Sequence, residues 1–325
     1  MKSFSQHMSE KLDPRLSPSG STLSSKGMSL CELLSGDKTE FIKHYDALNK
    51  PYYNNIEPTG KINSSAGRFM KALAQWYDQA AGNKDWFLPI FQEAAKCPNR
   101  GAWTYYSGKA YRGVLKSLES VNLVLEDKLV DDPVGSGVGP FLVGTANYSS
   151  VYPMQSWSAR ADVTHEFANT NYTKRFSSLK GKKQKYPMIF EAELPKEQTF
   201  LNPDISNFIG RSTEHEVLRI GNTPIKCKVY IWYDSFERLF WNGFVQTKEA
   251  EDLAKVMARE LNKKDPKKTK NDKTKKMLKD ILSKTLGLGD KGAELLVEAK
   301  NKRFLYNITR KMTFAYPDLL KGYPV

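Results

Sequence analysis

A run of alternating apolar and charged residues near the middle of the chain constrains the fold most strongly. Residues 188–194 alternate apolar side chains with Glu191 and Glu193, which is typical of a strand with one buried face. Residues 227–231 repeat the alternation further on. Short strands are separated by turn residues here, without the regular strand–helix spacing of a parallel sheet. The pattern therefore predicts an α+β fold with mixed or antiparallel strands.

Helical patterns flank this strand-rich region on both sides. Residues 65–81 place apolar side chains along one helical stripe, and a second helix is expected over 86–96. Such stripes usually cover a sheet. We divide the chain into a flexible leader over 1–36, a helical subdomain over 37–100, a strand-rich core over 101–246 and a basic, mostly helical C-terminal extension over 247–325.

Composition excludes several classes of protein. The chain has 325 residues and an ordinary hydrophobic content of 40%, with no apolar run long enough for a membrane span. The N-terminus lacks the apolar region of a secretory signal, so we expect a cytoplasmic protein without membrane association. Cys31, Cys97 and Cys227 have no CxxC or Cys/His spacing, which predicts reduced thiols and no zinc site.

The net charge of +14 favours acidic partners such as nucleic acid or phosphate-rich ligands. Much of the positive charge is concentrated in the run Lys263–Lys279. Two interpretations of this run have equal weight. It is either a solvated, charged loop or a contact for nucleic acid.

Three short motifs follow one another in the core: Arg112–Gly113, then Ser156–Ser158, then Glu214–Glu216 ahead of a Val-Leu-x-Ile strand. Their order resembles the Arg, Ser-x-Ser, Glu-x-Glu pattern of arginine-modifying mono-ADP-ribosyltransferases. This class includes clostridial binary-toxin subunits and bacteriophage enzymes, and the resemblance covers about residues 100–235. The family usually has Thr between the two serines, where this chain has Trp157. Alternation along a strand would direct Trp157 away from both serines.

The resemblance implies how NAD, the substrate of these enzymes, would be bound. Arg112 would offer a planar, permanently charged group to a phosphate. Gly113 would let the backbone approach the nicotinamide amide. Arg175 would meet a phosphate and Phe176 would stack on the nicotinamide, with a plain basic surface loop as an equal alternative for these two.

The resemblance also implies roles in the reaction. Glu216 would bind a ribose hydroxyl and stabilise the oxocarbenium ion that forms as nicotinamide leaves. Ser156 would orient Glu216, with Ser158 as a supporting contact. Alternate residues of a strand share one side, so Glu214 should emerge beside Glu216, where it would hold or deprotonate the acceptor arginine. Phe208, just before the glutamates, would contact the target protein.

The sequence thus predicts an NAD-dependent transferase that moves ADP-ribose to an accessible arginine of a target protein, without a metal. By resemblance it would be a phage or bacterial effector that modifies host proteins, built on a two-sheet catalytic core. Rival interpretations are an NAD glycohydrolase and a transferase whose acceptor is a nucleic acid. A non-catalytic nucleic-acid-binding protein that uses the lysine run is a third rival.

Overall fold

A computed structural model describes most of the chain. The described residues are 29–53, 65–78, 87–135, 140–150, 152–175, 185–200, 202–210, 214–233, 247–261, 272–286, 289–297 and 302–322. Within these residues there is no helix with the length and apolar character needed to span a membrane.

Helices lie at both ends of the described chain, and strands dominate its middle. The helices are α1 (Leu30–Ser35), α2 (Lys38–Tyr53), α3 (Ser65–Asp78), α4 (Phe87–Ala95), α5 (Ala161–Arg175), α6 (Pro203–Gly210), α7 (Lys248–Leu261), α8 (Asp272–Leu286), α9 (Gly289–Val297) and α10 (Lys302–Ala315). The strands are β1 (Gly108–Lys116), β2 (Val124–Val130), β3 (Phe141–Tyr148), β4 (Met154–Ser158), β5 (Tyr186–Leu194), β6 (Thr199–Phe200), β7 (Glu216–Ile220) and β8 (Ile225–Trp232). The α+β prediction is confirmed.

The strands form a single open sheet in the order β2-β3-β8-β5-β1-β4-β7-β6, so the expectation of two sheets is wrong. The registered pairs of β4 with β7 and of β6 with β7 are antiparallel. Helices, and not a second sheet, pack against these three strands. Met154, Phe200 and Leu218 pack into one hydrophobic core with side chains of α1 to α4.

The chain divides into two compact units. The first comprises residues 1–110, 149–160 and 192–224, and the second comprises residues 111–148, 161–191 and 225–325. Strands β1 and β5 each contribute residues to both units.

In the first unit, the helical layer is built on the predicted stripe of α3. Phe69, Leu73 and Trp76 are buried, because they recur on one face of the helix. Helix α1 lies in a region assigned to the leader from sequence. It forms because Ser29 and Glu32 make a capping box that satisfies backbone N–H groups at its start.

In the second unit, β3 pairs with β8 along its whole length, from Phe141 opposite Trp232 to Tyr148 opposite Ile225. β8 also pairs with β5, where Ile189 lies opposite Tyr230. Side chains of these strands, Val143 of β3 among them, form a hydrophobic core that also contains Val134. The first half of β5 is buried on both faces, so the predicted alternation holds only from Phe190 to Leu194.

A disulfide joins Cys31 to Cys97, so the expectation of three reduced thiols is wrong for this pair. The two Cα atoms lie 5.1 Å apart although 66 residues separate them in sequence. Helix packing creates this proximity, so it could not be predicted from the spacing of the cysteines in sequence. Disulfides are rare in cytoplasmic proteins, so the bond does not support the cytoplasmic location expected from the sequence. Cys227 is a buried cysteine outside this disulfide.

The disulfide should stabilise the first unit by restricting its unfolded chain. Replacing Cys31 and Cys97 together by Ser should lower the free energy of unfolding by about 4 kcal/mol, the loop-closure value for a loop of this length. Urea denaturation without reductant measures the loss. Dithiothreitol should destabilise the parent protein, because it reduces the bond, but should leave the double variant unchanged. Both proteins retain Cys227, so this cysteine cannot cause the difference. A parent protein whose stability is insensitive to reductant would contradict the bond.

Candidate active site

The pairing of β4 with β7 brings two of the sequence motifs together in the first unit. Ser158 lies directly opposite Glu216, and Ser156 lies opposite Leu218. Trp157 lies opposite Val217 and is buried, which places it on the other side of the strand from the two serines. The Ser-x-Ser and Glu-x-Glu motifs therefore meet at one end of a strand pair.

Ser158 holds the turn that carries Glu214. Its hydroxyl donates to the backbone carbonyl of Glu214 at 2.6 Å and accepts from the backbone N–H of Arg160 at 3.0 Å. Ser158 is buried, whereas Ser156 is exposed. The resemblance gave the orienting role to Ser156, but the position directly across from Glu216 belongs to Ser158.

The two glutamates are not alternate residues of one strand, so that part of the sequence argument is wrong. β7 begins at Glu216, and His215 has a left-handed backbone with φ of 50°. This conformation is uncommon for a residue with a side chain, and Asn207 supports it twice. The His215 N–H donates to Oδ1 of Asn207 at 2.9 Å, and Nδ2 of Asn207 lies 3.1 Å from Nδ1 of His215. A turn anchored to α6 thus sets the direction of Glu214.

The electrostatics of the pair single out Glu214. Partial desolvation raises the pKa of Glu214 above its ordinary value, and the negative charge of Glu216 raises it further. The residue is nevertheless exposed, so its carboxyl is accessible to an incoming group. A carboxyl with a raised pKa accepts a proton more readily than an ordinary glutamate.

Trp76 of α3 also reaches Glu216. Its indole N–H donates to Oε1 of Glu216 at 3.1 Å. Sequence reasoning assigned α3 only to covering a sheet, because a tryptophan on an apolar stripe is usually a core residue. The only sequence signal was that this stripe contains a side chain with a polar atom that requires an acceptor when buried.

Arg219 fixes β7 from within the first unit. It is fully buried, and Nη1 donates to Oε1 of Gln155 in β4 at 3.3 Å. Its Nε donates to Oε1 of Gln198 at 3.2 Å. These bonds link β7 to β4 and to the turn before β6, and they stabilise the register on which the site depends.

Arg112 and Gly113 lie on β1 and belong to the second unit. The Arg112 Nε donates to the hydroxyl of Tyr148 at 2.8 Å, and Tyr148 is buried against Phe190 with ring centroids 4.9 Å apart. Tyr148 was missed from sequence. A Cβ at Gly113 would collide with the backbone carbonyl of Thr164 in α5, so glycine here is required by helix packing.

The remaining predicted residues fall in different places. Phe208 lies on α6 with 40% of its surface exposed, as a contact residue requires. Arg175 ends α5, but its side chain and the whole of Phe176 lie outside the described residues. Residues 263–271 of the run Lys263–Lys279 also lie outside them. Residues 272–279 belong to α8, so the loop interpretation is wrong for this part of the run, and Lys279 pairs there with Glu294 at 2.8 Å.

Comparison of the chain with protein-family models, curated proteins and solved structures gives no match. Within the part of the chain that the structure describes, no three or more His, Cys, Asp or Glu side chains are grouped to hold a metal ion.

The coupling of the two carboxyls is directly testable. Glu216→Gln should lower the pKa of Glu214 because it removes a neighbouring negative charge. The decrease should be partial, since desolvation is the larger cause of the raised pKa and remains in the variant. Carboxyl carbon NMR across a pH titration measures it. Glu193→Gln, which removes an exposed carboxylate on β5, serves as the control and should leave the Glu214 titration in place. An unchanged Glu214 titration in Glu216→Gln would contradict the coupling.

Proposed function

We propose that this protein is a mono-ADP-ribosyltransferase that uses NAD to modify an arginine of a target protein and releases nicotinamide. One observation carries the proposal. The β4–β7 register sets Ser158 against Glu216 and places the exposed Glu214 at the end of the same strand pair. The resemblance of the motifs gives this arrangement its chemical interpretation.

Glu216 is assigned to bond cleavage. When the bond between ribose and nicotinamide breaks, its electron pair leaves with nicotinamide, and positive charge develops on the ribose. A carboxylate bonded to a ribose hydroxyl stabilises that charge as it forms. Glu216 suits this task because it sits at the start of a strand and its Oε1 is fixed by the Trp76 indole.

Glu214 is assigned to the acceptor. A guanidinium nitrogen must lose a proton as it forms the new bond to ribose, and an exposed carboxylate with a raised pKa can take that proton. The backbone of Glu214 is held by Ser158, so the side chain projects from a fixed point. Exposed Phe208, on the helix that anchors this turn through Asn207, is assigned to contact with the target protein.

Arg112 is assigned to a phosphate of NAD. A guanidinium binds phosphate with paired hydrogen bonds, and the Tyr148 hydroxyl accepts from Nε and so restricts the orientation of the group. Gly113 is assigned to the same NAD site beside Arg112, in addition to its packing role against α5.

Parallel substitution of the two glutamates tests the assignments. Glu216→Gln should reduce both nicotinamide release and protein labelling by about 10²- to 10³-fold, the usual loss for one preorganised electrostatic contact. Glu214→Gln should abolish arginine labelling while slow hydrolysis of NAD by water persists. Labelled NAD with a bacterial lysate, and nicotinamide assayed in the same reactions, measures both activities.

The outcomes separate the candidate functions. Wild-type nicotinamide release by Glu216→Gln would overturn the transferase assignment as a whole. Normal arginine labelling by Glu214→Gln would remove its acceptor role. Label in nucleic acid would identify a different acceptor, and nicotinamide release without any labelling would identify a glycohydrolase. Glu193→Gln again serves as the matched control.

The affinity for NAD tests Arg112. Arg112→Lys keeps the charge but loses the planar group, so it should weaken NAD binding by about 1.5–3 kcal/mol, the range for a hydrogen bond to a charged group. Tyr148→Phe should weaken it less, by about 0.5–1.5 kcal/mol, because it removes only the acceptor that orients Nε. Calorimetry measures both. Tyr230→Phe removes a tyrosine hydroxyl bound to Glu191 instead and should have no effect. Unchanged affinity in a folded Arg112→Lys protein would remove Arg112 from the site.

A further inference from the structure

Trp76 occupies an unusual place for a core tryptophan. Only 5% of its surface is exposed, and it lies in the hydrophobic core of the first unit among Phe69, Leu73 and other apolar side chains. A buried indole N–H needs an acceptor. The acceptor it contacts is Oε1 of Glu216, 3.1 Å away and 140 residues later in the chain.

The ring of Trp76 is fixed by aromatic neighbours. It packs edge-to-face against Phe91 with centroids 6.5 Å apart. Phe91 in turn packs against Phe69 at 5.6 Å and Phe200 at 5.8 Å. Phe200 belongs to β6 and lies opposite Leu218 of β7, the strand that begins with Glu216. The donor and the acceptor are therefore both held by the same packed core.

We propose that Trp76 is a positioning residue for Glu216, an inference that rests on the proposed function. Indole is a donor only, so it favours the ionised, accepting form of the carboxyl. It is also neutral. A lysine or arginine in its place would compensate the charge that must stabilise the ribosyl cation, whereas indole orients the carboxylate and leaves its negative charge available.

The contact itself is tested without any enzymatic assay. The indole N–H resonance of Trp76, assigned by its loss in Trp76→Phe, should shift with pH as Glu216 titrates. In Glu216→Gln that pH dependence should disappear. A Trp76 resonance that is independent of pH in the parent protein, or equally dependent in Glu216→Gln, would overturn the contact and the proposal with it.

The role in the reaction is tested by comparing Trp76→Phe with Trp103→Phe. Trp103 is a matched control, because its indole N–H donates to the carbonyl of Gly36 at 2.9 Å within the same unit. Trp76→Phe should lower kcat for nicotinamide release by about tenfold or more, with KM for NAD within about twofold, as expected for loss of a hydrogen bond to a charged group. The pH below which activity is lost should rise, because the ionised carboxylate loses a donor.

These readouts distinguish positioning from general destabilisation. Trp103→Phe should leave kcat and the pH profile unchanged, and thermal melting of both variants reports any loss of stability. Equal kinetics and equal pH profiles in the two variants would overturn the positioning role. If the parent protein releases no nicotinamide from NAD, the proposed function and this role fall together, while the NMR titration still decides the contact.

Discussion

The antiparallel pairing of β4 with β7 is the constraint on which the candidate site depends. Five consecutive residue pairs define its register, from Met154 opposite Ile220 to Ser158 opposite Glu216. A slip of one residue would move every side chain to the other face of the strand, so the register is set by what each face buries. One face packs Leu218 against the helices, and the other buries Arg219 among amide side chains.

The same packing explains why two neighbouring carboxyls can have different properties. Glu216 starts a regular strand and receives a hydrogen bond from the core. Glu214 precedes the strand on a turn with a left-handed residue, and its backbone carbonyl accepts a hydrogen bond from Ser158. One carboxyl is thus built into the sheet, and the other extends from a rigid turn towards solvent. When two carboxyls of one site have different environments, they can have different pKa values and perform different tasks.

Sequence reasoning reached the features that local periodicity encodes. The alternation in 188–194 identified β5, and the apolar stripe of 65–81 identified α3. It failed where tertiary contacts decide. The left-handed backbone of His215 depends on Asn207 of another element, and the bond from Trp76 to Glu216 joins residues 140 positions apart in the chain. The motif order indicated which residues to examine, but only strand register could show that Ser158 faces Glu216.

The Cys31–Cys97 bond makes the N-terminal helical layer a covalent ring that contains α2, α3 and α4. A protease that cuts this ring once opens it but releases no fragment until the bond is reduced. Two cuts are needed to detach α3, and with it the donor to Glu216. The helical layer therefore tolerates a single backbone break without losing a piece of the site, a property that a linear arrangement of the same helices would lack.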